Sequence, residues 1–244
     1  MKVSITNKNC DFKAPYLIDI LPESCVELIF EFDRIVSVQS RKSVQDSLTH
    51  LIASELKQFE WLILGKVQIE IHWFLNAVEK QETDKVGDLD NITKPLLDTL
   101  TGIDGLLVDD SQINSIHSTW ASKNGMIKDS LVKLTINFNN ENTISKSNLY
   151  FLQISPVIYI PLNFDLNDKS EVECIRLFIE TWKLKRTVGG ALITKYLTLS
   201  EYDFHRTRLN GFNQNQIIKD SEFDTICQKH GIYTQNIINK LKAI

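Results

Sequence analysis

Two hydrophobic periods share the first part of the chain. Residues 67–75 (VQIEIHWFL) place Val67, Ile69 and Ile71 at every second position, and residues 131–138 (LVKLTINF) do the same through Val132, Leu134, Ile136 and Phe138. A period of two is that of a strand with one face buried. Residues 26–32 (VELIFEF) form a short apolar run with β-branched and aromatic content, and 111–120 read as a further strand. Between the first two strands, Val44, Leu48, Leu51, Ile52, Leu56 and Phe59 recur at helical spacing. That spacing predicts an amphipathic helix over about 43–60, which Gly65 breaks. A second, short helix is predicted from Asp90 to Gly102, with Asn91 or Thr93 as its cap, Pro95 in its first turn and Gly102 as its stop. Residues 76–87 are polar and read as a loop.

The order strand–helix–strand–helix–strand–strand predicts an α+β (α/β-like) domain, one sheet packed with two helices. Residues 139–148 (NNENTISKSN) are polar and read as a linker. The expected domains are therefore 1–145 and 146–244. The second opens with an apolar stretch, Tyr150 to Leu162, interrupted by Pro156 and Pro161. It then turns mostly helical: Ile175, Phe178, Ile179 and Trp182 mark one face, and a further helix is expected over about 222–242. This accessory domain carries no catalytic signature, and its role is open.

Charge and cysteine content narrow the function. The 244 residues carry a formal net charge of −4. Residues 1–150 hold 15 Lys and Arg against 21 Asp and Glu, and the remainder holds 12 against 10. A nucleic-acid partner would have to be gripped by local basic clusters, by the C-terminal part or by a second subunit. Cys10, Cys25, Cys174 and Cys227 are far apart with no CxxC pair, which argues against a zinc site and fits the cytoplasm. No apolar leader opens the chain and no run of about 18 apolar residues occurs, so neither secretion nor a membrane is expected.

The chemistry lies in Gly87-Asp88-Leu89-Asp90-Asn91-Ile92-Thr93-Lys94-Pro95-Leu96-Leu97-Asp98, followed by Val108-Asp109-Asp110-Ser111-Gln112-Ile113. On an extended segment Asp88 and Asp90 point the same way. Two such carboxylates repel unless a cation lies between them, and oxygen ligands of this kind suit Mg²⁺ or Mn²⁺. Lys94 follows Asp90 by one helical turn, on about the same face. The chain then returns with Asp109 and Asp110 at the mouth of the next strand. Carboxylates, a hard cation and a lysine are the parts that phosphodiester hydrolysis requires.

The pattern DLDNxxKPxxDxL followed by DDxQI resembles the signature of RusA-type Holliday junction resolvases (crossover junction endodeoxyribonucleases), over roughly residues 25–140. The resemblance implies a mixed sheet with two helices. It implies metal ligands at Asp88, Asp90 and Asp110, a catalytic lysine at Lys94, Mg²⁺ dependence, a homodimer, and paired nicks in branched DNA. Asn91, Asp98 and Asp109 are candidates to support those groups; as alternatives, Asp98 is a polar helix face and Asp109 a turn residue. Arg41, Lys42, Lys80 and Lys85 are candidate DNA contacts or plain surface charge, as are Lys183, Lys185, Arg186, Arg206 and Arg208. His72 and His117 read as satisfied, partly buried side chains, and Trp61, Trp73, Trp120 and Trp182 as core. The stretch 79–86 is mixed in charge, and residues 146–244 have no counterpart in the minimal family. Another nucleic-acid structure (a fork, a flap, RNA) or a non-catalytic interaction module on the same fold therefore stays open.

Overall fold

The computed structural model describes residues 5–7, 10–14, 23–33, 35–76, 88–123, 130–187 and 202–242. It divides into two compact units, Met1–Thr143 and Ile144–Ile244.

The first unit is built on a five-stranded mixed sheet. Its strands are β1 (Ile5–Asn7), β2 (Glu23–Phe32), β4 (Val67–Asn76), β5 (Ile113–Lys123) and β6 (Ser130–Asn139), in the order β1-β2-β6-β4-β5. All neighbours are antiparallel except β4 and β5. The alternation seen in the sequence becomes one buried face. Val26, Leu28 and Phe30 of β2, Ile69, Ile71 and Trp73 of β4, and Val132, Leu134 and Ile136 of β6 are all buried. Register brings Leu28 and Ile71 both opposite Leu134. Helices α1 (Lys42–Leu56) and α2 (Leu89–Thr99) complete this core with Leu48, Ile52 and Leu56 from one and Ile92 and Leu96 from the other.

A parallel pair cannot be closed by a tight turn, and α2 lies on the crossover from β4 to β5. It ends at Thr99, three residues before the expected stop at Gly102, whose φ is +88°. The return loop is tight: Leu106 and Leu107 both donate their N–H to the Leu100 carbonyl, at 2.8 and 2.9 Å. At Gly105 a Cβ would lie 2.2 Å from that same oxygen, so only glycine fits. Pro95 lies inside α2 rather than in its first turn. Its missing N–H frees the carbonyl of Asn91, which accepts instead from Val38 N–H at 2.9 Å.

Two expectations need correction. The first helix stops at Leu56, and a strand that the sequence reading passed over, β3 (Trp61–Ile63), follows it. Three consecutive buried residues have no period by which to be recognised. The supposed linker 139–148 is ordered. It contains a 3-10 turn (Asn140–Asn142) and strand β7 (Thr143–Ser145). Its polar side chains satisfy its backbone: Asn139 Oδ1 accepts from Glu141 N–H at 3.0 Å, and Thr143 Oγ1 donates to Asn140 O at 2.8 Å.

The C-terminal unit carries the helices expected of it and, beside them, a small sheet. β8 (Leu149–Gln153) and β9 (Ile158–Asn163) form a hairpin joined by β10 (Phe204–His205) and β11 (Ile217–Ile218), in the order β10-β9-β8-β11. Pro161 sits in β9 beyond the two residues that β10 covers. Helices α3 (Lys169–Thr187), α4 (Asp220–Lys229) and α5 (Thr234–Lys242) pack with this sheet through a core that includes Leu152, Ile160, Ile179 and Phe223. At the centre is Arg176, only 2% exposed, paired with Glu180, Asp220 and Asp224 at 2.8–3.1 Å. Lys183 joins the same network through Glu180 and Asp220, so it is spent on the fold rather than offered to a ligand. The side chains of Lys185 and Arg186 lie outside the described residues. No helix among the described residues is long and apolar enough to cross a membrane.

Candidate active site

The DLDN segment folds as the start of a helix, not as an extended dipeptide. Asp88 is the N-cap of α2, with extended backbone and an exposed side chain that makes no capping bond; its carbonyl accepts from Ile92 N–H at 3.2 Å. Asp90 lies in the first turn, where a carboxylate is favoured by the helix dipole. The two side chains therefore do not share one face in the way that an extended chain predicts. Asp90, Lys94 and Asp98 instead follow one another at successive turns of α2, about 6 Å apart along the axis.

The helix and the returning turn meet at Lys94. Its Nζ donates to Asp98 Oδ1 at 2.5 Å and to Asp110 Oδ2 at 2.9 Å. All three side chains are about half exposed. The hydrogen bond to Asp98 is the largest influence and raises the Lys94 pKa above the ordinary lysine value; burial opposes it, and Asp110 adds to the rise. The ammonium is therefore fully charged at neutral pH. One cation between two carboxylates leaves this trio with a net charge of −1.

Asp110 opens a 3-10 turn, Asp110–Gln112, that leads into β5. Asp109 caps that turn by accepting from Ser111 N–H at 2.9 Å. It thus takes the role of the turn residue weighed in the sequence reading. The buried Gln112, absent from the candidates read from the sequence, ties the turn to Ile63 at the end of β3 and to Gly65 beyond it. The signal was present in the DDSQI string, as an amide at a position otherwise followed by strand residues. Beside Lys94 and Asp110 lies an open depression of about 470 Å³, whose other wall is Leu97 and the run from Ile113 to Ile116. Because β5 is an edge strand, Ile116 is left 48% exposed there.

The carboxylates Asp88, Asp90 and Asp110 are hard oxygen donors and match a divalent cation in kind. Their arrangement is a different matter. Among the described residues, no three Asp, Glu, His or Cys side chains are grouped closely enough to hold a metal ion. The rise of α2 accounts for this. Asp110 joins the helix at the Lys94–Asp98 turn, and Asp88 lies six residues before Lys94, about 9 Å away along the axis.

The remaining candidates are dispersed. Arg41 is the exposed N-cap of α1, and Lys42 is paired with Asp46 at 3.0 Å. Lys80 and Lys85 lie outside the described residues. Asn91 is half-buried on α2, with its backbone carbonyl engaged by Val38. His72 Nδ1 is hydrogen-bonded to Thr119 Oγ1 at 2.8 Å, whereas His117 is exposed, its ring 6.4 Å from that of His72. Arg206 reaches Gln214 Oε1 at 3.3 Å.

Residues 36–134 match the family described as Endodeoxyribonuclease RusA. The matched segment begins before α1 and ends within β6, so it contains α2, the Asp109–Gln112 turn and every residue of the Lys94 trio. No curated protein matches the chain.

Proposed function

We propose, from the match of residues 36–134 to the RusA endodeoxyribonuclease family, that the chain is a member of that family and a Mg²⁺-dependent, structure-specific endonuclease. Its substrate is branched DNA such as a Holliday junction, cut during recombination or repair. The observation that carries this reading is the Lys94 bridge. A protonated amine links the helix that bears DLDN to the turn that bears DDSQI.

In this reading Asp88, Asp90 and Asp110 would supply the ligands for Mg²⁺, with Mn²⁺ as a substitute, once Asp110 is drawn toward the first turn of α2. When bound, the cation offsets the charge that builds on the phosphate during hydrolysis. Lys94 presents its ammonium to the non-bridging oxygens of the scissile phosphate, where negative charge grows. Asp98 Oδ1 and Asp110 Oδ2 keep the lysine aimed, and Asp110 Oδ1 is the oxygen that would face the cation. Arg41 and Lys42 add contacts to the DNA backbone. A homodimer sets two such sites against two strands, matching a substrate of twofold symmetry. Residues 146–244 serve as an accessory domain.

Cleavage of a synthetic four-way junction, with and without Mg²⁺, tests the reading against linear duplex, fork, flap and RNA substrates. Paired nicks in the junction that depend on Mg²⁺ are expected. Cutting confined to another substrate would replace the junction as target. Binding of all branched DNAs with no cutting at micromolar protein would leave a non-catalytic module.

A further inference from the structure

Gln112 is 3% exposed, and all four of its amide hydrogen-bonding positions are used. Oε1 accepts from the N–H groups of Val108 at 2.7 Å and Asp109 at 3.0 Å. Nε2 donates to the carbonyls of Ile63 at 2.8 Å and Gly65 at 3.0 Å. These partners fix the orientation of the amide, because reversing it would set donors against donors and acceptors against acceptors. One side chain therefore pins the backbone just before Asp110 to the chain that leaves β3 and enters β4. Two further bonds hold the same turn. Asp109 Oδ1 accepts from Ser111 N–H, and Lys66 Nζ donates to the Ser111 carbonyl at 2.9 Å. Gly65 is itself confined, since a Cβ there would lie 2.7 Å from Asn142 Nδ2.

We infer that Gln112 is a positioning residue: it fixes where Asp110 stands, and through Asp110 where the Lys94 ammonium stands, without touching substrate. The inference rests on the endonuclease reading above. Asp110 sits within a four-residue turn whose backbone is held before it by Gln112 and after it by Lys66 and Asp109. Its exposed carboxylate is thereby delivered to Lys94 by an anchor inside the core. An apolar side chain of the same size would fill the same space. It would leave two N–H and two carbonyl groups without this partner, and the turn free to shift.

The test compares Gln112→Met and Lys66→Met with wild type by single-turnover cleavage and by affinity for a four-way junction, at a temperature where circular dichroism shows each protein folded. For Gln112→Met, junction affinity should stay within threefold of wild type, as an order-of-magnitude bound, while the cleavage rate falls about 100-fold, the scale of an ångström-sized misplacement of a catalytic group. Lys66→Met, on the surface, should lose about threefold in rate with affinity unchanged, because one tether of several is removed. Folded Gln112→Met that cuts at the wild-type rate, or loses rate and affinity together, overturns the inference. If Gln112→Met does not fold, Lys66→Met decides, and an unchanged rate overturns it. A wild-type protein that cuts no branched DNA removes the endonuclease reading and this inference with it, and the wild-type control alone reveals that case.

Discussion

Lys94 is held by two acids in a net-negative trio, so its value to a reaction on an anion depends on how firmly it is aimed. Asp98 lies one turn on along α2 and Asp110 comes from another element, so the ammonium is aimed by both helix and turn. Replacing Lys94 with Ala should slow junction cleavage by about 10²–10³, the usual cost of removing one electrostatic stabiliser. Single-turnover kinetics measure this directly, and an unaltered rate would place Lys94 outside the site. Asp90→Asn should abolish cleavage yet leave DNA binding equal or tighter, since one charge that repels phosphate is gone; a gel-shift titration beside the cleavage assay reads both. The raised Lys94 pKa fixes the sign of its pH effect. Its charge is complete below the ordinary lysine range and is lost only as pH rises through the raised value, so it adds no titration to activity near neutrality.

At the scale of elements, the loop from α2 to β5 decides whether the two halves of the motif meet. It has no slack at Gly105, where a Cβ would strike the Leu100 carbonyl. Gly105→Ala should lower stability by about 2 kcal/mol, within the range for overpacking. Urea unfolding tests it, and an unmoved midpoint would show that the loop yields. In the C-terminal unit, α3 is tied to the start of α4 by Arg176 and Lys183. Burial alone would raise the Asp220 pKa, but hydrogen bonds from Lys183 and Arg176 outweigh it and hold the pKa below the usual aspartate value. A carboxyl with a depressed folded pKa contributes stability above its unfolded pKa and loses it as pH falls through the folded one. Melting temperature should therefore drop below about pH 4, and Asp220→Asn should flatten that acid limb. A limb unchanged in the variant would assign the acid sensitivity to other carboxylates.

On the scale of the whole molecule, two compact units divide the chain near residue 143. The family match lies wholly within the first. That unit carries the excess of acidic residues, so under the proposed function a grip on DNA would have to be local, to come from the C-terminal unit or to come from a second copy. Sedimentation equilibrium should accordingly give a dimer mass, about twice 28.1 kDa, at micromolar concentration. A monomer that still makes paired nicks would separate cutting from dimerisation.

Patterning alone determined the elements whose period is strong. β4, β6 and both helices of the first unit lie close to where spacing placed them, because a strand or helix that buries one face must repeat its apolar residues at its own period. The DLDN and DDSQI strings likewise carried the resemblance to the family whose model matches residues 36–134. Other features depended on distance in space rather than along the chain. β3 is buried throughout and has no period. The Asn- and Ser-rich stretch 139–148 is ordered because its side chains bond its own backbone. Lys183 turns inward because Asp220, far off in sequence, stands beside it. Tertiary structure also decided that Lys94, not a bare group of three carboxylates, joins helix to turn, and that Gln112 anchors the turn. The physical reason is that hydrogen bonds and ion pairs are set by the approach of distant segments, which no local period records.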